Sequence, residues 1–504
     1  MCVHLCSSVA DKMPLPNLIE IVPLEKPVRA EITVPGSKSI TNRALILAAL
    51  AEGEVTLEGA LWSEDTQIMV ECLQELGFMV DVRPDPNEFS NRTITVYGKG
   101  GDVPPGGTEA QPVELFVGNA GTAARFLAAF VCLGKGVYKL HGVPRMNERP
   151  KKALFQALRE LGYRVDSPTD KLPAIIHGSG PKPGAKCTVD IEESSQFASA
   201  LLLCAKVGGW NVEVVGENAE ESPYVAMTSK LINAFPNLGG KFQIEPDASS
   251  GSYFWGALWL SPRQNQKHDS ELAKRIENTI SPKELSKSLG KCHSAYDLFK
   301  AEVEILRKKD IVLAQELEDL ILRRSWISVL NWPSAKYPPS DWQIDSAFPY
   351  FLNDKTNHVS RQTDLGDSIM TFIAIAPIAP TGQSMFKFTD LGRLRLQETE
   401  RVVALRTELT KCGAKVIEEG DTLTVYPSTL HGAEIETYND HRMAMCFAIL
   451  GLKVPGIKLK NPACVKKTFP NFFQKLAAVP PHGLGATILD ASGRKLAHHE
   501  LFAE

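Results

Sequence analysis

Six turns of small and polar residues run directly into apolar helical patterns, and this repetition constrains the fold more than any other feature. The segments are GSKSITNRALILAAL from Gly36, GNAGTAARFLAAFVCL from Gly118, SSQFASALLLCA from Ser194, DASSGSYFWGALWL from Asp247, DLGDSIMTFIAIA from Asp364 and YNDHRMAMCFAIL from Tyr438. A helix start exposes unpaired N–H groups and a partial positive charge, so Gly, Ser, Asn and Asp there suit phosphate or carboxylate. Six such starts predict repeated units around a small polyanionic ligand.

Strand-like runs alternate with helical runs along the chain. The strand-like runs include Arg29 to Val34, Thr93 to Tyr97, Asn211 to Val215, Thr422 to Tyr426 and Gly456 to Leu459. The helical runs include Asp65 to Leu76, Lys151 to Leu161 and Glu398 to Cys412. This alternation predicts the α/β class, and a length of 504 residues predicts at least two domains.

The interval between the fourth and fifth helix starts contains a block, about residues 262–324, that does not follow the repeat. Leu272, Ile276 and Ile280 have i, i+4 spacing, and Ser281 to Glu284 form a capping-box start with proline at the first helical position. A last amphipathic helix is marked by the spacing of Leu313, Leu317, Leu320 and Ile321. We predict a helical insertion outside the functional cleft with solvated charged faces; a partner-binding role is the alternative.

The composition excludes several classes of function. A net charge of -4 leaves no polybasic patch for nucleic acid, and no run of about 20 apolar residues could span a bilayer. The ten cysteines show neither a CxxC pair nor a zinc-like cluster, which predicts buried free thiols in a reducing compartment. The N-terminal segment has no secretory or transit pattern, so we expect a cytoplasmic protein. We also expect no bound metal.

The first turn carries three residues suited to anions. Lys38 offers a point charge, Ser39 a hydroxyl, and Arg43, one helical turn later, a bidentate fork. The segment is not a Walker A loop, because Ile32 stands where the first glycine of that motif is required. A capped surface helix is the alternative interpretation.

The next turns offer glycines, guanidinium groups and hydroxyls. Gly118 to Thr122 would let backbone amides approach a ligand closely, and Arg125 follows one turn later. The segment from Arg145 to Arg149 holds two arginines, and Ser194 to Gln196 adds two hydroxyls and an amide. A plain glycine turn, two solvated arginines and simple helix caps are the respective alternatives.

Two acidic residues are candidates for proton transfer. Asp367 could serve only as an N-cap, and Glu398 could be only one member of an exposed helix ion pair. Asp440 to Arg442 and Lys466 to Thr468 place further charges beside helix starts or turns. If each of these residues had only a structural role, the presence of anion-binding residue types at all six turns would be a coincidence.

Taken as an ordered set, these segments resemble the 5-enolpyruvylshikimate-3-phosphate (EPSP) synthase family. The resemblance rests on GSKSITNRA, GNAGT, PRMNERP, SSQ, DASS, QETER, YNDHRMAM and KKTFP, in this order. It covers about residues 15–478, excluding the helical insertion.

The resemblance implies two inside-out α/β barrel domains, each built from three repeated βαβαββ-type units, with the six helix starts facing the cleft between them. The first domain would be discontinuous, from 15–35 and 246–478, and the second would span 36–245. Residues 1–14 and 479–504 would be tails, the latter a short hairpin or a disordered end. We expect a monomer.

The implied reaction transfers the enolpyruvyl group of phosphoenolpyruvate to the 5-hydroxyl of shikimate 3-phosphate and releases phosphate. Both substrates are anionic, which matches a site rich in Lys, Arg and helix starts. By this resemblance, phosphoenolpyruvate is bound by Lys38, Gly121, Arg145, Gln196, Arg401, Arg442 and Lys467. Shikimate 3-phosphate is bound by Lys38, Ser39, Arg43, Ser194, Ser195, Gln196, Tyr224, Asp367 and Gln397.

The family mechanism implies three catalytic residues and no cofactor. Asp367 would accept the proton of the hydroxyl, Glu398 would protonate the methylene carbon, and Lys38 would stabilise the departing phosphate together with Lys467. No covalent enzyme intermediate is expected.

The chain departs from the family pattern near the catalytic glutamate. Gln397 stands where a lysine is usual, and Arg393 where an asparagine is common, so a positive charge has moved. Two rival functions stay open. Transfer of enolpyruvate to UDP-N-acetylglucosamine belongs to a sibling enzyme of the same fold, although GSKS, SSQ and DHRMAM favour the shikimate enzyme. A non-catalytic binding or scaffold role is made possible by the insertion and by Gln397.

Overall fold

The computed structural model of the protein describes residues 15–216, 222–261, 266–281, 284, 295–323, 325–332, 340, 342–353, 356–378 and 382–503. Residues 1–14, the N-terminal tail of the sequence prediction, lie outside this described part. The predicted helix starts each precede a helix, namely α1 (Lys38–Leu50), α3 (Gly121–Phe130), α6 (Gln196–Gly208), α8 (Ala248–Leu260), α13 (Ile369–Ile375) and α15 (His441–Gly451). The other helices of the described ranges are α2 (Glu64–Glu75), α4 (Pro144–Glu148), α5 (Lys152–Glu160), α7 (Pro223–Ala234), α9 (Gln266–Thr279), α10 (Ala295–Lys309), α11 (Ile311–Arg323), α12 (Phe348–Asn353), α14 (Arg401–Lys411) and α16 (Phe472–Ala477).

Four sheets of the described chain repeat one pairing pattern, in which a parallel pair is followed by two antiparallel pairs. The first sheet has the strand order β12 (Gly240–Gln243), β3 (Glu52–Leu61), β5 (Asn91–Lys99), β4 (Val80–Pro84). The second has the strand order β6 (Val113–Phe116), β7 (Lys135–His141), β9 (Ala174–Ser179), β8 (Arg164–Asp166). The third sheet has the strand order β14 (His358–Ser360), β15 (Phe386–Thr389), β17 (Thr422–Tyr426), β16 (Lys415–Glu419). The fourth has the strand order β18 (Glu434–Ile435), β19 (Ile457–Lys460), β1 (Leu18–Ile21), β20 (Ile488–Asp490). Two parallel pairs complete the set: β10 (Lys186–Asp190) with β11 (Asn211–Val215), and β13 (Trp326–Val329) with β2 (Arg29–Ile32).

The sheets surround two separate hydrophobic cores. The continuous core draws its buried residues from 40–244, and the discontinuous core draws them from 15–34 and 253–503. Three sheets accompany each core. The helices lie inside: all ten residues of α3 are buried, because a helix that is apolar and small-sided all round can be covered on every side. The predicted α/β architecture with buried repeat helices is confirmed.

Two chain segments cross between the cores side by side. The N–H of Ser37 donates to the carbonyl of Glu245 at 2.8 Å, and the N–H of Asp247 donates to the carbonyl of Pro35 at 2.8 Å. Between them, a Cβ atom on Gly36 would lie 2.0 Å from the backbone oxygen of Gly59, so only glycine fits this crossing.

The predicted helical insertion consists, in its described part, of α9, α10 and α11. These helices have a small core of their own, made of Leu272, Ile280, Val303, Leu306, Leu313, Ala314 and Leu317. Ser281 and Glu284 form the reciprocal hydrogen bonds of the predicted capping box, whereas Pro282, Lys283 and 285–294 lie outside the described residues. No helix of the described chain is long and apolar enough to cross a membrane.

The C-terminal segment corrects the alternative of a disordered end. Strand β20 pairs antiparallel with β1, and Leu489 bridges to Lys495 in a hairpin-like return. Ile488 and Leu501 are buried in the discontinuous core. Ile488 in β20 pairs with Ile21, which is 467 residues earlier in the sequence (488 minus 21), so no local pattern indicated this pairing.

Candidate active site

A polar cavity lies between the two cores, and each of the six predicted turn-and-helix segments contributes at least one residue to its wall. The contributing residues are Ser37, Lys38 and Ser39 before and in α1, Arg125 in α3, Ser194, Ser195 and Gln196 at α6, Asp247 and Ser249 at α8, Asp367 before α13, and His441 and Arg442 in α15. Because the start of a helix carries a partial positive charge, and because lysine and arginine side chains line the same wall, the cavity suits a polyanion.

Asp367 is buried among arginines. Its carboxylate accepts a hydrogen bond from Arg361 Nη2 at 2.7 Å, and it lies 3.3 Å from Arg442 Nε and 3.6 Å from Arg401 Nη1. Burial acts to raise the pKa of Asp367, but Arg442, Arg361 and Arg401 outweigh it and hold this pKa well below its usual range. The carboxyl group is therefore ionised near neutral pH, which is the form that a proton acceptor requires.

Glu398 faces the same cavity and is paired with two cations. Its carboxylate is 2.9 Å from Lys467 Nζ and 2.8 Å from Arg401 Nη2. Burial acts to raise the pKa of Glu398, but Lys467 and then Arg401 lower it well below its usual range. Lys467 thus reaches the site through Glu398, and the pKa of Lys467 is raised because Glu398 outweighs the opposing effect of burial.

Arg401 is held by acidic residues on both sides. Its Nε donates to Asp440 at 2.7 Å, and its side chain is 1% exposed. The amide oxygen of Gln397 accepts a further hydrogen bond from Arg401 Nη1, so Gln397 points at this guanidinium. Lys38 stands opposite, with its Nζ 3.2 Å from Asp65.

The start of α3 gathers two arginines. A Cβ atom on Gly121 would lie 2.8 Å from Nη1 of both Arg125 and Arg149, so the bare glycine gives these guanidinium groups their room. Arg125 also donates to Gln196 Oε1 at 2.7 Å, which connects α3 to the serine turn. Burial, followed by the charge of Arg149, lowers the pKa of Arg125 to about 9.

The structure corrects the predicted contribution of the PRMNERP segment. Arg145 is outside the cavity: its side chain is 65% exposed and pairs with Glu148 at 2.8 Å. Arg149, four residues later in the same segment, lines the cavity instead. Both arginines lie on a single short turn, so sequence spacing alone did not decide between them.

The residues that the sequence predicted to bind the acceptor substrate line the cavity, with one exception. Ser39, Ser194, Ser195 and Tyr224 line the cavity. Arg43 is behind its wall, where it is 1% exposed and donates to Ser199, Thr228 and the carbonyl of Ser39. It supports the start of α1 rather than facing the cleft.

Sequence reasoning missed two arginines of this site, Arg361 and Arg393. Arg361 follows β14 and Arg393 lies on the 3-10 helix Gly392–Leu396, and both line the cavity. Arg393 was noted only as a departure from a family pattern, and no motif marks Arg361. Only the three-dimensional arrangement brings them together. Among the described residues, no cluster of three or more His, Cys, Asp or Glu has the arrangement of a metal site.

Comparisons with known proteins agree with this geometry. The family model described as EPSP synthase (3-phosphoshikimate 1-carboxyvinyltransferase) matches residues 22–238 and 355–476. The 3-phosphoshikimate 1-carboxyvinyltransferase of Trichormus variabilis is 35% identical over 481 residues, covering 91% of this chain and 98% of that protein. The chloroplastic enzyme of that name from Solanum lycopersicum is 34% identical over 477 residues, covering 93% of this chain and 85% of that protein.

Solved structures show the same fold at lower sequence identity. EPSP synthase from Acinetobacter baumannii is similar with a TM-score of 0.58 at 19% identity, covering 94% of this chain and 99% of that chain. The enolpyruvyl transferase NikO from Streptomyces tendae has a TM-score of 0.54 at 14% identity, covering 96% and 100%. The family match, the relatives over nearly the whole chain and the polyanion cleft lead to one conclusion: this chain belongs to the EPSP synthase family.

Proposed function

We propose that this chain is a 3-phosphoshikimate 1-carboxyvinyltransferase. It transfers the enolpyruvyl group of phosphoenolpyruvate to the 5-hydroxyl of shikimate 3-phosphate, giving 5-enolpyruvylshikimate 3-phosphate and phosphate in the shikimate pathway. The observation that carries the proposal is the pair of carboxylates, Asp367 and Glu398, each set among cations in one cavity between two cores. Addition of an alcohol to the enol double bond of an enol phosphate requires both a base and an acid.

In the addition step, Asp367 takes the proton of the 5-hydroxyl while the oxygen forms a bond to C2 of phosphoenolpyruvate. The methylene carbon receives a proton from Glu398, which gives a tetrahedral intermediate with a methyl group. In the elimination step, a methyl proton returns to Glu398 as the C–O bond to phosphate breaks. The departing phosphate carries away the proton first held by Asp367, so protons balance over the cycle, and Lys38 and Lys467 stabilise its charge.

Glu398 must be protonated before it can act as an acid. Lys467 and Arg401 lower the pKa of Glu398 and so favour its ionised form. The phosphate and carboxylate of phosphoenolpyruvate compete for these same two cations, which raises the proton affinity of Glu398 when the substrate arrives. Substrate binding and acid activation are thus one event.

The residue roles follow the cavity, with two changes from the sequence prediction. Phosphoenolpyruvate is assigned to Lys38, Gly121, Arg149 in place of Arg145, Gln196, Arg401, Arg442 and Lys467. Shikimate 3-phosphate is assigned to Lys38, Ser39, Ser194, Ser195, Gln196, Tyr224, Asp367 and Gln397, and Arg43 becomes a buried support for Ser39.

The proposal extends to the domains. Residues 15–35 and 246–503 form the first domain and 36–245 the second; the sequence prediction ended the first domain at 478, but the discontinuous core continues to residue 503. The paired crossing segments serve as the hinge, and closure would remove water from the cleft. We also propose a monomer in the cytoplasm; the seven described cysteines are free and buried, as expected for a reducing compartment.

The test is phosphate release from phosphoenolpyruvate with and without shikimate 3-phosphate. We expect acceptor-dependent release, and a loss of about 10²- to 10⁴-fold in kcat for Asp367→Asn. Asp364→Asn is the matched control, because Asp364 lies in the same loop but accepts from the N–H of Ser360 at 2.8 Å and does not line the cavity.

Release that depends on UDP-N-acetylglucosamine instead would contradict the assigned acceptor. Tight binding of both substrates without any release would support a non-catalytic role.

A further inference from the structure

We propose that Arg361 and Arg393 form a two-arginine subsite for the phosphate ester of the acceptor. This inference rests on the proposed function, since it names the group of shikimate 3-phosphate that these side chains bind. Neither residue belongs to the motifs that defined the site.

Arg361 is buried yet incompletely paired. Its side chain is 8% exposed, and its only ion pair in the described chain is with Asp367, through Nη2 at 2.7 Å. Its Nε is buried and has no hydrogen-bond partner among the described residues. A guanidinium group has five N–H donors, so this side chain retains donors for a ligand.

Arg393 approaches from the neighbouring 3-10 helix and has no carboxylate partner among the described residues. Its Nη2 donates to the carbonyl of Ile191 at 2.7 Å, a contact that reaches across the cleft. Ile191 lies three residues before Ser194, so Arg393 stands next to the serine turn at the start of α6. Burial and then the charge of Arg361 lower the pKa of Arg393, in keeping with two neighbouring guanidinium groups.

The charges around this pair do not balance. Among the described residues Asp367 is the only carboxylate in an ion pair with Arg361 or Arg442, whereas Arg401 also pairs with Glu398 and Asp440, and Arg393 pairs with no carboxylate. Bringing Arg361, Arg393 and Arg442 into one buried region with a single shared carboxylate is unfavourable unless an anion joins them. The missing partner is a ligand anion.

A phosphate monoester matches this pair better than a carboxylate. It carries about −1.5 to −2 charges near pH 7 and three acceptor oxygens, which two guanidinium forks can share, whereas one carboxylate occupies one fork. Arg361 and Arg393 line the main cavity together with Ser194 and Ser195, whose hydroxyls and helix start also favour phosphate.

The test compares dissociation constants of shikimate 3-phosphate and of shikimate, which lacks the phosphate, by titration calorimetry. We expect Arg393→Gln and Arg361→Gln each to weaken binding of shikimate 3-phosphate by about 10- to 100-fold, while the constant for shikimate changes less than about twofold. Arg393→Lys keeps the charge without the fork and should fall between. Arg406→Gln is the control, since Arg406 is 42% exposed and pairs with Glu418 outside the cavity.

Equal weakening for shikimate and shikimate 3-phosphate would overturn the phosphate assignment, as would unchanged binding of both. If Arg361→Gln does not fold, the Arg393 variants decide. Failure of the proposed function is distinguishable, because the unaltered protein would then release no phosphate from phosphoenolpyruvate in the presence of shikimate 3-phosphate. If the unaltered protein is active but the variants bind shikimate 3-phosphate normally, the subsite alone is refuted.

Discussion

At the scale of single residues, Lys151 is buried without a carboxylate partner in the described chain. Its Nζ is 3.6 Å from Met146 Sδ and 3.5 Å from the carbonyl of Arg149. Burial, followed by the charges of Arg125 and Arg149, lowers the pKa of Lys151 to about 7. The folded protein therefore binds fewer protons here than the unfolded chain, whose lysine titrates near ~10.4.

Because the folded protein binds fewer protons at Lys151, we expect Lys151→Met to raise the free energy of unfolding by an amount that depends on pH. The lysine penalises the fold fully below about pH 7, and the penalty disappears as pH rises to the unfolded value, because both states are then neutral. We expect the free energy of unfolding of Lys151→Met to exceed that of the parent by roughly 2 to 4 kcal/mol at pH 6 and by little at pH 10.

Denaturant unfolding at both pH values measures this difference. The neighbouring Lys152→Met is the control, since Lys152 is exposed and should show no such trend. A gain for Lys151→Met that is equal at pH 6 and pH 10 would contradict the argument.

The site residues that sequence could predict are those whose chemistry is local. Lys38, Ser39 and Ser194 follow from turns that begin helices, and the structure brings them to one cavity. Arg361 and Arg393 could not be predicted as a pair, because they are 32 positions apart (393 minus 361) and α13 and β15 lie between them in the chain.

At the scale of elements, periodicity predicted position well. Strands β11 and β17 begin and end at the predicted residues, and α14 begins at Arg401 rather than at the predicted Glu398. That helix starts late because Glu400 caps it through Val403 N–H, which frees Glu398 to face the cleft. The pairing of strands was beyond prediction because it joins residues distant in sequence.

The helical insertion should be removable. Its described helices pack on a core of their own, and none of its described residues lines the cavity. We expect deletion of 263–324, with a short Gly/Ser linker to residue 325, to keep kcat/KM within about twofold, because loop closure depends only weakly on length. Steady-state kinetics and circular dichroism measure it; lost turnover with the fold preserved would assign the insertion a functional role.

The C-terminal strand should contribute to stability. Leu501 is fully buried in the discontinuous core. We expect Leu501→Ala to lower the free energy of unfolding by about 2 to 5 kcal/mol through lost burial and a cavity. Thermal unfolding measures it, with Val479→Ala as the control, since Val479 is 78% exposed. Equal melting temperatures for the two variants would show that this segment is dispensable.

At the scale of the whole molecule, a buried polar cluster connects the two cores beside the hinge. Glu88 is 4% exposed and pairs with Lys475 Nζ at 2.7 Å, and it accepts from Asn471 at 2.7 Å and from Thr33 at 2.5 Å. Ser90 in turn donates to Asn471 at 2.6 Å. The cluster ties residues near β5 to α16.

Breaking this pair should loosen the connection. Lys475→Met leaves the Glu88 charge buried without a cation, and we expect a loss of about 3 to 5 kcal/mol. Glu88→Gln added to Lys475→Met should recover part of it, and the exposed Lys453→Met is the control. If calorimetry gives Lys475→Met the same free energy of unfolding as the parent protein, the cluster does not stabilise the connection between the cores.

The position of β1 between β19 and β20 also sets an order on biosynthesis. The continuous core is complete once residue 244 has been made, so it can fold while the rest of the chain is still being translated. The first strand, by contrast, has no partner until residues 457–460 and 488–490 leave the ribosome. Strand β1 is therefore made before either core yet is among the last elements to reach its native place.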